Sequence, residues 1–239
     1  MKNVLILGAN SDVAKQVMVL YLKMGYTVMA ASRSLDQIEE FVNDNHLDKV
    51  RIHLLMFDSV DFSSHQSFYS NLPHRPHIVL YAAGYLVGNQ EAIHDWERTF
   101  QMINVHYSGA VSILNIIASD KSNDNLERII GLSSLSGVRG RKSNFIYGSS
   151  KAAFTQYLAG LRQLLFDRGV IVNVVVAGYI RSKMVAGLSL PERLLLEPAY
   201  IAREVVSVGR KFQIVPNWKW KGIYWVLRLL PEHLVAKLP

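Results

Sequence analysis

Short apolar runs rich in β-branched residues recur along the chain, with segments of helical length between them. They read "NVLILG" (3–8), "TVMAAS" (27–32), "RIHLLMFD" (51–58), "HIVLYAAG" (77–84), "RIIGLSS" (128–134), "VIVNVVVAG" (170–178) and "FQIV" (212–215). Most are apolar without a break, which is the pattern of strands covered on both faces. Between them, "VAKQVMVLYLKMG" and "KAAFTQYLAGLRQLLFDRG" place apolar residues three and four apart and stop at Gly25 and Gly169, as amphipathic helices with glycine ends do. Such a series predicts an α/β fold, a Rossmann-like doubly wound parallel sheet of about seven strands. Residues 1–215 are expected to form a single nucleotide-binding domain and residues 216–239 an amphipathic C-terminal extension.

Composition narrows the classes. Half of the 239 residues are apolar, enough for a sizeable core. The chain has no cysteine, which excludes disulfides, thiolate zinc sites and a cysteine nucleophile and fits a reducing, cytoplasmic setting. The opening "MKNVLILGANSDVA" loses its apolar character at Asn10-Ser11-Asp12, too early for a secretory leader. No stretch approaches the roughly 18–20 uninterrupted apolar residues of a membrane span. A net charge of +7, from 26 basic and 19 acidic residues, favours anionic partners. The basic clusters "RGRK" (139–142) and "NWKWKGIYWVLR" (217–228) match neither a zinc-finger nor an RNA-recognition pattern, so nucleic acid is not an expected partner.

Ligands of doubly wound sheets lie at the carboxyl ends of the strands. After the first strand, Gly8 allows a sharp turn, and the helix opening at Asn10, Ser11, Asp12 and Val13 offers backbone N–H groups to a phosphate. Asp12 and Ala14 stand where a dinucleotide loop has its later glycines, and Asp12 is expected to turn away and cap the helix. After the second strand, Arg33 between Ser32 and Ser34 suits a 2′-phosphate, so NADP(H) is expected over NAD(H). Asp58, after the third, either accepts from the adenine amino group or holds a turn. Tyr147 and Lys151, four apart, share one face of a helix. An ammonium that close is expected to draw the phenol down from its usual pKa of about 10. Taken alone, such a pair is far more often a solvated surface pair; here it follows "GLSSLSG", whose hydroxyls sit at a strand's carboxyl end.

Together these motifs make the chain resemble the short-chain dehydrogenase/reductase family over roughly residues 2–215. The resemblance implies a catalytic Ser134, Tyr147 and Lys151, the serine thirteen residues before the tyrosine, with Asn104 of "MINVHYSGA" completing a proton path through a water. It implies cofactor contacts from Ala82, Ala83 and Gly84 of "YAAG", where Tyr81 replaces the family's asparagine, and from Tyr147 and Lys151 through the nicotinamide ribose. Gly178, Ile180 and Ser182 of "AGYIRS" fall where the family contacts the carboxamide. The implied reaction is NADP(H)-dependent reduction of a ketone to a secondary alcohol with Tyr147 as general acid, without a metal, in an enzyme that forms a homo-oligomer.

The tail and "GRKSNFIYGSSKA" are similar to one subgroup of the family, the reductases of a polyprenyl-phosphate-linked 2-keto-pentose. Trp218, Trp220, Tyr224 and Trp225, interleaved with Lys219, Lys221 and Arg228, suit an interfacial helix bounded by Pro216 and Pro231 and a peripheral contact with the membrane's inner face. A helix packed over the substrate loop, or against another subunit, is the alternative. Arg139, Arg141 and Lys142 either face a phosphate headgroup or lie in an exposed loop. The substrate is accordingly expected to be a lipid-linked sugar ketose or, alternatively, a small soluble carbonyl compound; an NADP-binding sensor without turnover is the third reading.

Overall fold

The computed structural model describes residues 2–237; Met1 and Leu238–Pro239, the outer ends of the two expected segments, lie outside the described residues. β1 (Asn3–Leu7) leads through α1 (Asp12–Lys23) to β2 (Thr27–Ser32), and α2 (Asp36–Asp44) leads to β3 (Ile52–Met56). α3 (His65–Ser70) precedes β4 (Ile78–Tyr81). Three helices, α4 (Asn89–His94), α5 (Trp96–Ile103) and α6 (Gly109–Ser119), bring the chain to β5 (Arg128–Ser134). α7 (Phe145–Leu164) is followed by β6 (Ile171–Ala177), and α8 (Pro198–Val206) by β7 (Gln213–Ile214). α9 (Trp218–Leu229) and α10 (Glu232–Val235) close the described chain.

The strands form one parallel sheet in the order β3-β2-β1-β4-β5-β6-β7. Consecutive side chains of a strand enter different cores. Leu5 and Leu7 join Ile113, Phe154 and Trp220 on one face, while Val4 and Ile6 join Val17, Met18 and Ile201 on the other. With both faces covered, Val4 to Leu7 of β1 are all buried, which is why that run is apolar without a break. Each such side chain stabilises the fold by about 1.5–3 kcal/mol relative to exposure.

The edge strands are shorter than the pattern suggests. β3 covers 52–56 rather than 51–58, and β7 covers 213–214 rather than 212–215, because an edge strand has one neighbour to hold its ladder. β4 ends at Tyr81, after which the Ala82 N–H donates to the Leu7 C=O at 2.8 Å and the chain turns away, placing Ala82, Ala83 and Gly84 in a loop. α1 stops as expected just before Gly25, whereas α7 ends at Leu164 and a 3-10 turn, Phe166–Arg168, carries the chain on to Gly169; both glycines are at positive φ. The order reverses between β1 and β4, so their connections diverge to opposite faces and leave a crevice at the carboxyl ends.

Candidate active site

The crevice opens at the end of β1. Gly8 turns the chain at φ 86°, and a Cβ there would lie 2.4 Å from the Ala83 nitrogen, so the turns after β1 and β4 touch only because this residue has no side chain. α1 starts at Asp12 with Ser11 as N-cap, and no side chain caps it, so its first-turn amides face the crevice without a side-chain partner. Asp12 therefore does not perform the expected capping. Its carboxylate accepts the backbone N–H of Lys183 at 2.8 Å, because the loop after β6 folds back across the start of α1. Asn10 donates through Nδ2 to Gln37, its carbonyl accepts from Lys183 Nζ at 2.8 Å, and its Oδ1 is buried without a partner.

A cleft of about 280 Å³ runs from here in two directions. At one end lies Arg33, exposed beside Ser32 and Ser34, and among the described residues it makes no ion pair. Asp58 lies outside the cleft lining; its Oδ1 accepts the Val60 N–H at 3.0 Å, the turn role, and its neighbour Ser59 lines the wall instead. Gly8, Asn10, Ser11, Asp12 and Val13 line the middle, with Ala82, Ala83 and Gly84 opposite. Ile180 and Ser182 line the far side, whereas Gly178 is set back from the cleft.

At the other end stand Tyr147 and Lys151, in the first two turns of α7. Burial raises the Tyr147 phenol above its ordinary value, and a hydrogen bond with the Ser134 side chain opposes that rise. Burial lowers Lys151 to about 8, and its ammonium donates to the Leu132 C=O at 3.1 Å. The expectation that Lys151 draws the phenol down is thus not met in the protein alone: the ammonium is 6.0 Å from the ring centroid, and the opposing influence on the buried phenol comes from Ser134.

Asn104 is buried and opens a π-helical turn, Asn104–Ser108, between α5 and α6. Its side chain does not line the cleft; the next residue, Val105, does. Tyr81, in place of the family's asparagine, supports the same turn, since its hydroxyl donates to the Val105 C=O. His106, unremarked in the sequence, sits behind the site, edge-on to the Tyr147 ring at 5.1 Å. Its Nε2 accepts the Tyr85 N–H at 3.1 Å, so Nδ1 carries the proton and donates to Ser150 Oγ at 2.8 Å, and Ser150 in turn donates to the Tyr147 C=O at 2.8 Å. Burial, and secondarily Lys151, hold this imidazole well below its ordinary pKa and keep it neutral.

A hydroxyl, a phenol and a lysine at the head of a dinucleotide-type crevice match a known pattern, and the family model described as short chain dehydrogenase matches residues 2–193. The chain belongs to the short-chain dehydrogenase family. It is an oxidoreductase. An uncharacterised oxidoreductase of Mycobacterium tuberculosis is 26% identical over 244 residues, covering 99% of this chain and 96% of the relative. One from Myxococcus xanthus is 24% identical over 211 residues, 87% of this chain and 83% of the relative. A short chain dehydrogenase from Burkholderia cenocepacia, solved in complex with NADP, has a TM-score of 0.80 at 18% identity, covering 98% of this chain and 97% of that one. ElxO with NADP bound has a TM-score of 0.81 at 19% identity, covering 92% and 99%.

In this short-chain dehydrogenase the loop from 179 to 197 and the tail are built together. Ile180 pairs with Leu196 in a parallel bridge, and Arg181 ion-pairs with Glu192 and Glu197 at 2.6 and 2.9 Å. Trp220 of α9 donates from Nε1 to the Leu194 C=O at 3.0 Å and lies edge-on to Tyr179. A Cβ on Gly178 would fall 2.0 Å from the Trp220 indole, so this glycine is required by the tail helix packing against it. Arg139, a candidate for a headgroup, is engaged by the tail, donating to the Leu230 C=O and pairing with Glu232, both at 2.8 Å. Lys183 and Met184 also line the cleft; nothing in their local sequence distinguishes them, because their place depends on how the loop folds back.

Proposed function

We propose that the enzyme reduces a ketone to a secondary alcohol with NADPH, Tyr147 serving as general acid. The observation that carries this is Tyr147 and Lys151 at one end of a cleft, the Ser134 side chain hydrogen-bonded to the phenol from just behind the lining, with Arg33, which makes no ion pair among the described residues, at the other end. The residues fit the cofactor: uncapped amides of α1 suit a diphosphate, and Arg33 with Ser32 and Ser34 suits a 2′-phosphate. Two proteins of the same fold carry NADP. The chemistry such a cofactor supplies is hydride delivery to the carbonyl carbon.

Tyr147 gives its phenolic proton to the carbonyl oxygen as charge develops there. Ser134, hydrogen-bonded to the phenol, holds that oxygen in place. Lys151 binds the ribose and, with a proton affinity near 8, returns a proton to Tyr147. Asn104, on the π turn packed against α7, completes the route outward.

The substrate reading we favour is a lipid-linked sugar ketone met at the inner face of a membrane. The outer face of α9 supports it, since Trp218, Trp225, Val226 and Leu229 are exposed beside Lys219 and Lys221. A small soluble carbonyl compound is the competing reading, favoured by the engagement of Arg139 with the tail. Among the described residues, no helix is long and apolar enough to cross a membrane.

The test is NADPH oxidation against a panel of ketones that includes a lipid-phosphate ketose. Wild type should turn over at least one of them; Tyr147→Phe should lose about 10²–10⁴-fold in kcat while NADPH affinity changes little. Arg33→Asp should favour NADH, because the contact with the 2′-phosphate is worth roughly 1.5–3 kcal/mol. Near-wild-type turnover by the phenylalanine variant would remove Tyr147 from the role of acid.

A further inference from the structure

A carboxylate in the first turn of α1 faces the place where a diphosphate would bind, and on its own it would repel that ligand. Asp12 is instead turned to Lys183, whose backbone N–H it accepts at 2.8 Å. The Lys183 ammonium rests on the Asn10 C=O at 2.8 Å, on the wall of the cleft, and among the described residues no carboxylate ion-pairs with it. Lys15, the other nearby cation, is occupied elsewhere, donating to the Gln37 C=O at 3.2 Å and lying over the Phe41 ring. Its proton affinity is lowered first by burial and then by Lys183, while Asp12 acts in the opposite sense, so the three charges share one small region.

The loop that carries Lys183 is braced at its base by the Ile180–Leu196 bridge, the Arg181 ion pairs and Trp220. Its tip crosses the cleft: Lys183 touches the turn after β1, and Met184 lies so close to Gly84, in the turn after β4, that a Cβ there would be 2.9 Å from its terminal methyl. We propose that Lys183 is a direct ligand of the cofactor diphosphate and that Asp12 is the positioning residue that brings it there. The acid in place of a glycine thus supplies a lysine to the anion, and the net charge beside it stays positive. This inference rests on the NADP(H) reading above.

Calorimetric binding of NADPH and of adenosine 2′-monophosphate, which has no diphosphate, separates the two. Lys183→Met should weaken NADPH about tenfold, the loss of one charge-assisted contact, and leave adenosine 2′-monophosphate unchanged. Asp12→Ala should weaken NADPH likewise and, without ligand, speed tryptic cleavage at exposed Arg193 several-fold relative to sites outside the loop. Asp12→Asn, which keeps an acceptor for the Lys183 N–H, should rescue most of both losses. Unchanged NADPH affinity in Lys183→Met would overturn the ligand assignment, and that variant stands even if Asp12→Ala does not fold. Unchanged cleavage with tighter NADPH binding in Asp12→Ala would make Asp12 a mere repulsive charge and overturn its positioning role. Wild type that binds neither nucleotide would overturn the cofactor reading and the Lys183 assignment together, a pattern distinct from either failure.

Discussion

Burial acts in opposite senses on the two groups that define the site. It makes the Tyr147 phenol harder to ionise and the Lys151 ammonium easier to deprotonate, since both shifts favour the neutral form. Lys151 is therefore the group that titrates first as pH rises. Reduction should run at full kcat/KM below about pH 8 and fall above it, the apparent value belonging to the coupled pair. The profile of Lys151→Met should lack that limb and lie below wild type at every pH. Stability carries the same signature with its own sign. The folded-state value, about 8, is below the ordinary 10.5, so the cost of burying the charge is fully present below pH 8 and relieved as pH rises to 10.5. Urea midpoints should rise over that window in wild type and not in Lys151→Met. Neither shift is visible in the spacing of the two residues, which sets their common face but not the dielectric around them.

At the level of elements, the strands and the helix bearing Tyr147 follow from local pattern, whereas the π turn and the tail helix depend on partners. Tyr81 ties the end of β4 to the π turn, because its long side chain reaches the backbone there and its hydroxyl donates to the Val105 C=O. α9 buries Trp220, Tyr224 and Leu227 in the core under α6 and α7 while leaving Trp218 and Trp225 outside. Trp220→Ala should destabilise the protein by about 3–5 kcal/mol, the usual cost of removing a buried aromatic ring. Gly178→Ala should cost about 1–3 kcal/mol by overpacking against that ring. The double variant should be less destabilised than the sum of the two, because the added methyl then enters the space the indole left. Strict additivity in urea unfolding would mean that the two do not share that space.

For the whole molecule, the sheet separates two cores and puts the cleft along one edge, with the basic, aromatic outer face of α9 at the surface. A net charge of +7 adds attraction to an anionic leaflet, about 1 kcal/mol for each lysine or arginine held near it. The protein should sediment with anionic vesicles at low salt and remain in solution with neutral ones. Trp218→Ser with Trp225→Ser, both at exposed positions, should abolish sedimentation while leaving the unfolding midpoint nearly unchanged. Wild type that stays in the supernatant with anionic vesicles would move the small soluble carbonyl compound ahead of the lipid-linked substrate.

The sequence by itself determined what repeats locally. Unbroken apolar runs specify strands covered on both faces, three- and four-residue spacing specifies the helices, and a tyrosine and lysine one turn apart must share a face wherever that helix lies. Arg33 at a strand end and Gly8 after another were legible for the same reason. What the tertiary structure alone decided are contacts between distant parts of the chain and the environments they create. Asp12 meets Lys183 across 171 residues, Gly178 is required by Trp220, and Arg139 is engaged by the tail. Side-chain partners of this kind, and the proton affinities of buried groups, depend on which surfaces exclude water once the sheet is closed in, and no local pattern carries that information.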